Sequence, residues 1–298
     1  LNRRSSELSI FGALVCAQTF LGAFPVAAKV ALESIPPLPF ALFRVAGASV
    51  VLWAIRPILP RDKIDREDLP RLALLAFLGV AFNQILYIEG LSLSTAINAS
   101  VLMTTIPVLT LGIAIIAGRE GASTRKLLGC VLGLAGALTI LDVTRFDLRS
   151  RLFLGDAMLL TNATAYSTYL VLSRDLLRKY SAPTFIRITF SMGAIPILAF
   201  AAAPLAKMSF ARVTPTAWAC MAAVILFPSV IGYVLNAWAL ARTHASRVAL
   251  FVTLQPFVAT TLAVFWLSEE PSARAATAAA LIFAGLLVSR PPLPRRSP

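Results

Sequence analysis

The chain is a succession of long apolar runs separated by short clusters of Arg, Lys, Asp, Gly and Pro. Each run is close to the ~20 residues that carry a helix across a bilayer. None shows the apolar–polar alternation that the strands of a membrane barrel require. The pattern predicts ten membrane-spanning helices at 9–30, 39–59, 70–91, 95–117, 125–142, 152–173, 182–202, 215–240, 245–267 and 273–289. The expected fold is an all-α polytopic membrane protein with too little chain left over for a separate soluble domain. Arg3 and Arg4 ahead of the first run imitate a secretory signal. That run continues to about residue 32 without a cleavage site, so it reads as a retained helix.

Composition sharpens the picture. Of 298 residues, 58% are hydrophobic and 14% charged, and the mean hydropathy is +0.81. Soluble chains run at about 45–50% apolar and about 25% charged. A net charge of +13 suggests nucleic-acid binding in a soluble protein. Here the cations fall between apolar runs, where they set topology, and no nucleic-acid partner is expected. With the N-terminus inside, the inner connections hold 18 of the 27 Lys and Arg and the outer ones 6. The excess places both termini, including a 291–298 tail, in the cytoplasm. Cys16, Cys130 and Cys220 lie within apolar runs without disulfide or metal spacing, so they read as packing residues. No metal or cofactor is expected.

The chain also repeats itself. An offset of 149 aligns Thr104 with Thr253, Pro107 with Pro256, Glu120 with Glu269 and Gly136 with Gly285. An offset of 143 aligns Gly12 with Gly155 and Arg44 with Arg187. The expected units are 9–142 and 152–290, five spans each. An odd number of spans turns the second copy over, which gives an inverted repeat with a substrate site near the midplane.

Two segments, 103–120 and 252–270, each hold a mid-helix proline followed thirteen residues later by glutamate at the membrane edge. With the small-residue stretch from Gly129 and its counterpart at Ala284 and Gly285, they resemble the drug/metabolite transporter superfamily, in particular the ten-helix EamA-type exporters. The resemblance covers the chain from span one to span ten. It departs at Phe20, Leu21 and Gly22, where many relatives place a tryptophan before the glycine. It implies alternating-access export across a bacterial cytoplasmic (inner) membrane, and bacterial exporters of amino acids, aromatic ones included, are the nearest likeness.

Polar residues at mid-membrane depth need partners that hydrocarbon does not supply. Asn83 and Tyr87, Asn162 with Tyr166 and Tyr169, and Ser229 with Tyr233 and Asn236 each fall on one helical face. The candidate substrate-binding residues among them are Asn83, Tyr87, Asn162, Tyr166, Tyr233 and Asn236, together with Gln18, Thr104 and Gln255, and interhelical hydrogen bonding is the alternative use. None of the 14 acidic residues lies at the centre of a span. A cation pump is expected to carry a buried carboxylate, and a nucleotide-sugar carrier several cations. The remaining expectation is an uncharged central cavity for neutral or zwitterionic metabolites, amino acids foremost. Exporters of nucleotide sugars or drugs, a channel and a membrane-embedded enzyme are the alternatives.

Arg44 and Arg187 lie about two turns into related spans. They read either as snorkelling side chains or as a symmetric gating pair. Pro107 and Pro256 read as hinges or as static bends. Gly129 and Gly133 on span five and the alanines at 275–280 on span ten suit close packing of these helices. A monomer is expected, with a dimer contact as the other use of these faces. The lone histidine, His244, has no cysteine beside it, and HExxH, GxSxG and GxxxxGK are absent. These absences argue against an enzyme and against ATP-driven transport within the chain. Facilitated export and coupling through a span-end acid such as Asp156 both stay open.

Overall fold

A computed structural model describes residues 3–59, 62–141, 150–243 and 245–289. Asp142, Arg145, Arg149, His244 and the 291–298 tail lie outside the described residues. Among the described residues the first set of helices is α1 Arg3–Leu32, α2 Pro37–Ala54, α3 Arg66–Leu93, α4 Ala96–Ile116 and α5 Thr124–Leu141. The second set is α6 Arg151–Lys179, α7 Ala182–Ala206, α8 Pro215–Leu240, α9, which begins as Ala245–Phe251 and ends as Gln255–Leu267, and α10 Ala273–Ser289. Among the described residues seven helices, α1–α4 and α7–α9, are long and apolar enough to cross a membrane. Large apolar side chains such as Ile116, Phe200, Phe265 and Trp266 point outward, as a lipid-facing surface requires.

Two pairs of helices are irregular at repeat-related places. α3 passes through a π-helical turn at Phe77–Phe82, and α8 through one at Ile225–Gly232. In α8 the cause is chemical: Pro228 has no N–H for the Val224 carbonyl, and the Ser229 hydroxyl donates to that carbonyl instead, at 2.7 Å. α4 breaks between Met103 and Ile106, and α9 passes through a 3₁₀ turn at Val252–Leu254. In each, the proline is the second residue of the segment that follows, so Pro107 and Pro256 start helices rather than kink them.

Contacts fix the sense of each helix. Phe24 stacks on Tyr87 at 5.2 Å and Lys29 Nζ donates to the Ser94 carbonyl, so α1 and α3 run parallel. A Cβ at Gly90 would lie 2.8 Å from the Gly155 carbonyl oxygen, and Asn162 Nδ2 donates to the Asn83 carbonyl at 2.6 Å. These contacts run α6 antiparallel to α3, and therefore opposite to α1. α1 lies antiparallel to α8 and parallel to α9, just as α6 lies antiparallel to α3 and parallel to α4. α5 and α10 close the arrangement: a Cβ at Gly136 would sit 2.8 Å from the Ala278 oxygen, and one at Gly285 2.6 Å from the Gly129 oxygen. Bare backbone at these crossings supplies the close dispersion contact that joins helices in lipid, where the hydrophobic effect between them is missing.

Candidate functional site

The polar stripes converge. At the centre lies a cavity of about 50 Å³. A water needs about 10–15 Å³ on the same measure, so there is room for a few waters. α1 contributes Gln18, Leu21 and Phe24; α3 contributes Asn83, Gln84 and Tyr87; α6 contributes Asn162 and Tyr166. Tyr233 of α8, Val252 and Gln255 of α9, and Met103 and Ile106 of α4 complete the wall with Arg44 of α2. The side chains after each π turn face this space, and so do those flanking the breaks in α4 and α9. The irregular turns thus sit where backbone geometry must be re-aimed toward a cavity.

Two hydrogen-bond chains line the wall. In the first, Gln255 Nε2 donates to Gln18 Oε1 at 2.6 Å, and Gln18 Nε2 donates to Asn236 Oδ1 at 3.0 Å. Asn236 Nδ2 then donates to the Tyr166 hydroxyl at 3.1 Å, so Asn236 stands behind the wall and holds two of its members. In the second, Gln84 Nε2 donates to Asn83 Oδ1 at 2.8 Å and to the Tyr233 hydroxyl at 3.2 Å. Gln84 Oε1 accepts from Arg44 Nη1, and Arg44 Nε donates to Ser229 Oγ at 2.7 Å.

Arg44 corrects two expectations. It is 2% exposed, so it does not snorkel to an interface. It also puts a cation into a cavity expected to be uncharged. Its guanidinium carbon lies 3.8 Å from the Phe24 ring centre, and its partners Ser229 and Gln84 are neutral. Among the described residues no carboxylate pairs with it. Phe24 and the serine presented by the α8 π turn give this side chain an inward route that helical periodicity alone does not show.

Arg187 is not its partner across the cavity. It lies on the Trp53 ring at 4.7 Å, with Arg56 and Asp62 as charged neighbours, and its Nε and Nη1 have no hydrogen-bond partner among the described residues. The two arginines therefore have different surroundings in this conformation, Arg44 at the cavity and Arg187 on the Trp53 ring. Thr104 is also displaced from expectation. Its hydroxyl donates to the Val101 carbonyl at 2.5 Å, closing the helix end at the α4 break rather than lining the cavity. Thr253 does the same to Leu250 in α9. Gln84, Ser229 and Phe24 belong to the site beyond the expected set. Gln84 and Ser229 are polar at the right depth, and only their reach toward Arg44 was hidden.

Among the described residues no group of three or more His, Cys, Asp or Glu side chains could hold a metal ion. Cys16, Cys130 and Cys220 are free. A second cluster gathers where α1, α4, α6 and α9 end. Asp156, 1% exposed, accepts from Ser94 Oγ and from Asn98 Nδ2 at 3.1 Å, and Glu269 accepts from the Ala96 and Ile97 backbone N–H groups.

This arrangement coincides with a double match to one family model, that of the EamA-like transporter family, over residues 8–142 and 153–290. The chain belongs to that family. It is a multi-pass membrane transporter. It is 29% identical over 251 residues to the uncharacterized transporter YdfC of Bacillus subtilis (strain 168), covering 84% of this chain and 80% of that protein. It is 27% identical over 289 residues to a probable terminal-alkyne amino-acid exporter of Streptantibioticus cattleyicolor, covering 97% of the transporter and 95% of that relative. A crystal structure covering 99% of the transporter and 100% of itself superposes at TM-score 0.67 with 20% identity, which shows a shared fold.

Proposed function

We propose that the transporter exports zwitterionic amino acids with apolar side chains by alternating access. Its two inverted five-helix units, 9–142 and 152–290, enclose the substrate, and both termini face the cytoplasm of a bacterial inner membrane. The observation that carries this reading is Arg44: a buried guanidinium on a cavity wall, whose hydrogen-bond acceptors among the described residues are neutral. A cation in a poorly solvated site favours an anionic ligand, and the planar fork of arginine matches a carboxylate. Asn83, Asn162 and Gln255 supply amide oxygens for an ammonium group, and Tyr87, Tyr166 and Tyr233 offer ring faces. Leu21, Phe24, Met103, Ile106 and Val252 supply apolar surface for the side chain.

Competing cargoes fit less well. An organic cation meets like charge at Arg44, and a pyrophosphate-bearing sugar nucleotide meets one cation where several are needed. The likeness to a probable terminal-alkyne amino-acid exporter supports the same substrate class. At about 50 Å³ the cavity is well short of the roughly 300 Å³ of an ordinary ligand pocket, so a loaded state has to be wider than this one.

The test is counterflow in liposomes containing the pure protein. Phenylalanine, methionine and tryptophan should exchange saturably, while their decarboxylated amines should not compete. Movement of cationic dyes or nucleotide sugars alone would replace this reading.

A further inference from the structure

The repeat places one glutamate in each half at the same position, and the structure uses the two differently. Glu269 reaches from its own half to the α4 of the other half. Its two carboxylate oxygens accept from the Ala96 and Ile97 backbone N–H groups at 2.9 and 3.0 Å. These N–H groups have no partner within their own helix, and a carboxylate there also meets the positive end of the helix dipole. The offset of 149 maps Ala96 and Glu269 onto Ala245 and Glu120. The corresponding bond is not made: among the described residues, Glu120 Oε2 accepts from Lys126 Nζ at 3.0 Å and the Ala245 N–H does not reach it.

The segments these N–H groups belong to are short half-helices. Ala96–Met103 is separated from the rest of α4 by the break before Pro107, and Ala245–Phe251 from the rest of α9 by the turn before Pro256. Met103 and Val252, at the inner ends of these half-helices, line the cavity. Glu269 is itself set by Ser268, whose φ of +51° is a left-handed conformation that L side chains rarely adopt.

We infer that Glu269 and Glu120 are alternating gate residues, each latching the half-helix of the opposite repeat when its own face of the membrane is closed. This rests on the alternating-access reading above. The structure is the state in which the Glu269 latch is engaged and the Glu120 latch is released. Switching breaks the two bonds at Ala96 and Ile97, and the equivalent pair forms between Glu120 and the start of α9. The other anchors at the closed face, Asp156 and Lys29, map at offset 143 onto Ala13 and Leu172. Glutamate is thus the element of the latch that both repeats retain.

The test reads which face the cavity opens to and needs no substrate. In a background with Cys16, Cys130 and Cys220 replaced, Met103→Cys reports access to a membrane-impermeant maleimide in vesicles of either orientation. Glu269→Gln removes the charge and half of the capping, and labelling from the Glu269 face should rise about five- to tenfold. Glu120→Gln should shift labelling the opposite way, because it weakens the other closed state. Lys126→Ala breaks the same ion pair as Glu120→Gln but leaves the latch intact, so it should not shift labelling in the direction that Glu120→Gln does. Unchanged labelling in a folded Glu269→Gln protein overturns the inference. So does an equal effect of Glu120→Gln and Lys126→Ala, and this arm stands even if Glu269→Gln fails to fold. Equal labelling of the parent from both faces would overturn alternating access itself, whereas failure of amino-acid counterflow alone would leave the latch result untouched.

Discussion

Arg44→Met separates recognition from structure. In the proposed complex the guanidinium makes charge-assisted hydrogen bonds to the substrate carboxylate, worth about 1.5–3 kcal/mol. At about 1.4 kcal/mol per tenfold, the Michaelis constant should rise between about tenfold and about 150-fold. Stability should change little. Replacement of a buried charge by an apolar side chain of similar volume is often neutral or favourable. The groups left behind also keep other bonds: Ser229 Oγ still donates to Val224, and Gln84 still donates to Asn83 and Tyr233. Arg44→Lys keeps the charge without the fork and should fall between. The assay pairs counterflow kinetics with thermal unfolding in detergent, and repeats the kinetics with the decarboxylated amine as competitor. In the parent protein the amine should lose to the amino acid; in Arg44→Met that preference should shrink. An unchanged Michaelis constant, or a large fall in stability with substrate preference intact, would refute the carboxylate role and make Arg44 a packing cation.

Other outcomes follow from the same geometry. Gly155→Ala should destabilise by about 1–3 kcal/mol, because its Cβ would lie 2.7 Å from the Gly90 carbonyl oxygen, which is backbone and cannot step aside. Its repeat mate Gly12 has nothing within 4 Å, and Gly12→Ala should be neutral or stabilising by about 0.5–1 kcal/mol; unfolding temperatures of the two variants decide this. Thr104→Val should leave counterflow within about twofold, since the hydroxyl serves only the Val101 carbonyl, whereas Asn236→Ala should raise the Michaelis constant by releasing both Gln18 and Tyr166. Asp62 gives a pH dependence. Burial alone would raise its pKa, but hydrogen bonds from the Ser181 hydroxyl and backbone N–H, from Thr184, and the charge of Arg187 together bring it below the ordinary value. A depressed carboxylate stabilises above its unfolded pKa, and that contribution is lost as pH falls through the folded value. Asp62→Asn should therefore flatten the loss of unfolding temperature between neutral pH and about pH 3, relative to parent.

Much of this was readable in the chain because membrane helices announce themselves. Hydrocarbon tolerates few polar groups, so the runs and their breaks are explicit, and a stripe such as Ser229, Tyr233 and Asn236 has to face protein. What stayed hidden depends on small departures from the α-helix. The role of the Pro228 and Ser229 pair shows only in the π turn, where the hydroxyl relieves Val224 and receives Arg44. Arg44 therefore looked able to snorkel, and the cavity looked uncharged. Thr104 misled for a related reason: at a helix break its nearest acceptor is its own backbone, three residues back. Glu120 and Glu269 were visible as a pair, but their unequal use belongs to one conformation, and a repeat in sequence is blind to which copy is engaged.

The glycine seam between α5 and α10 has one more consequence. Among the described residues none of either helix lines the cavity, yet Gly136 and Gly285 interlock the two halves reciprocally. The fastening of the protein is thereby physically separate from its choice of cargo. Lineages descended from such a chain are free to vary the interior over generations while the keel that joins the halves stays the same.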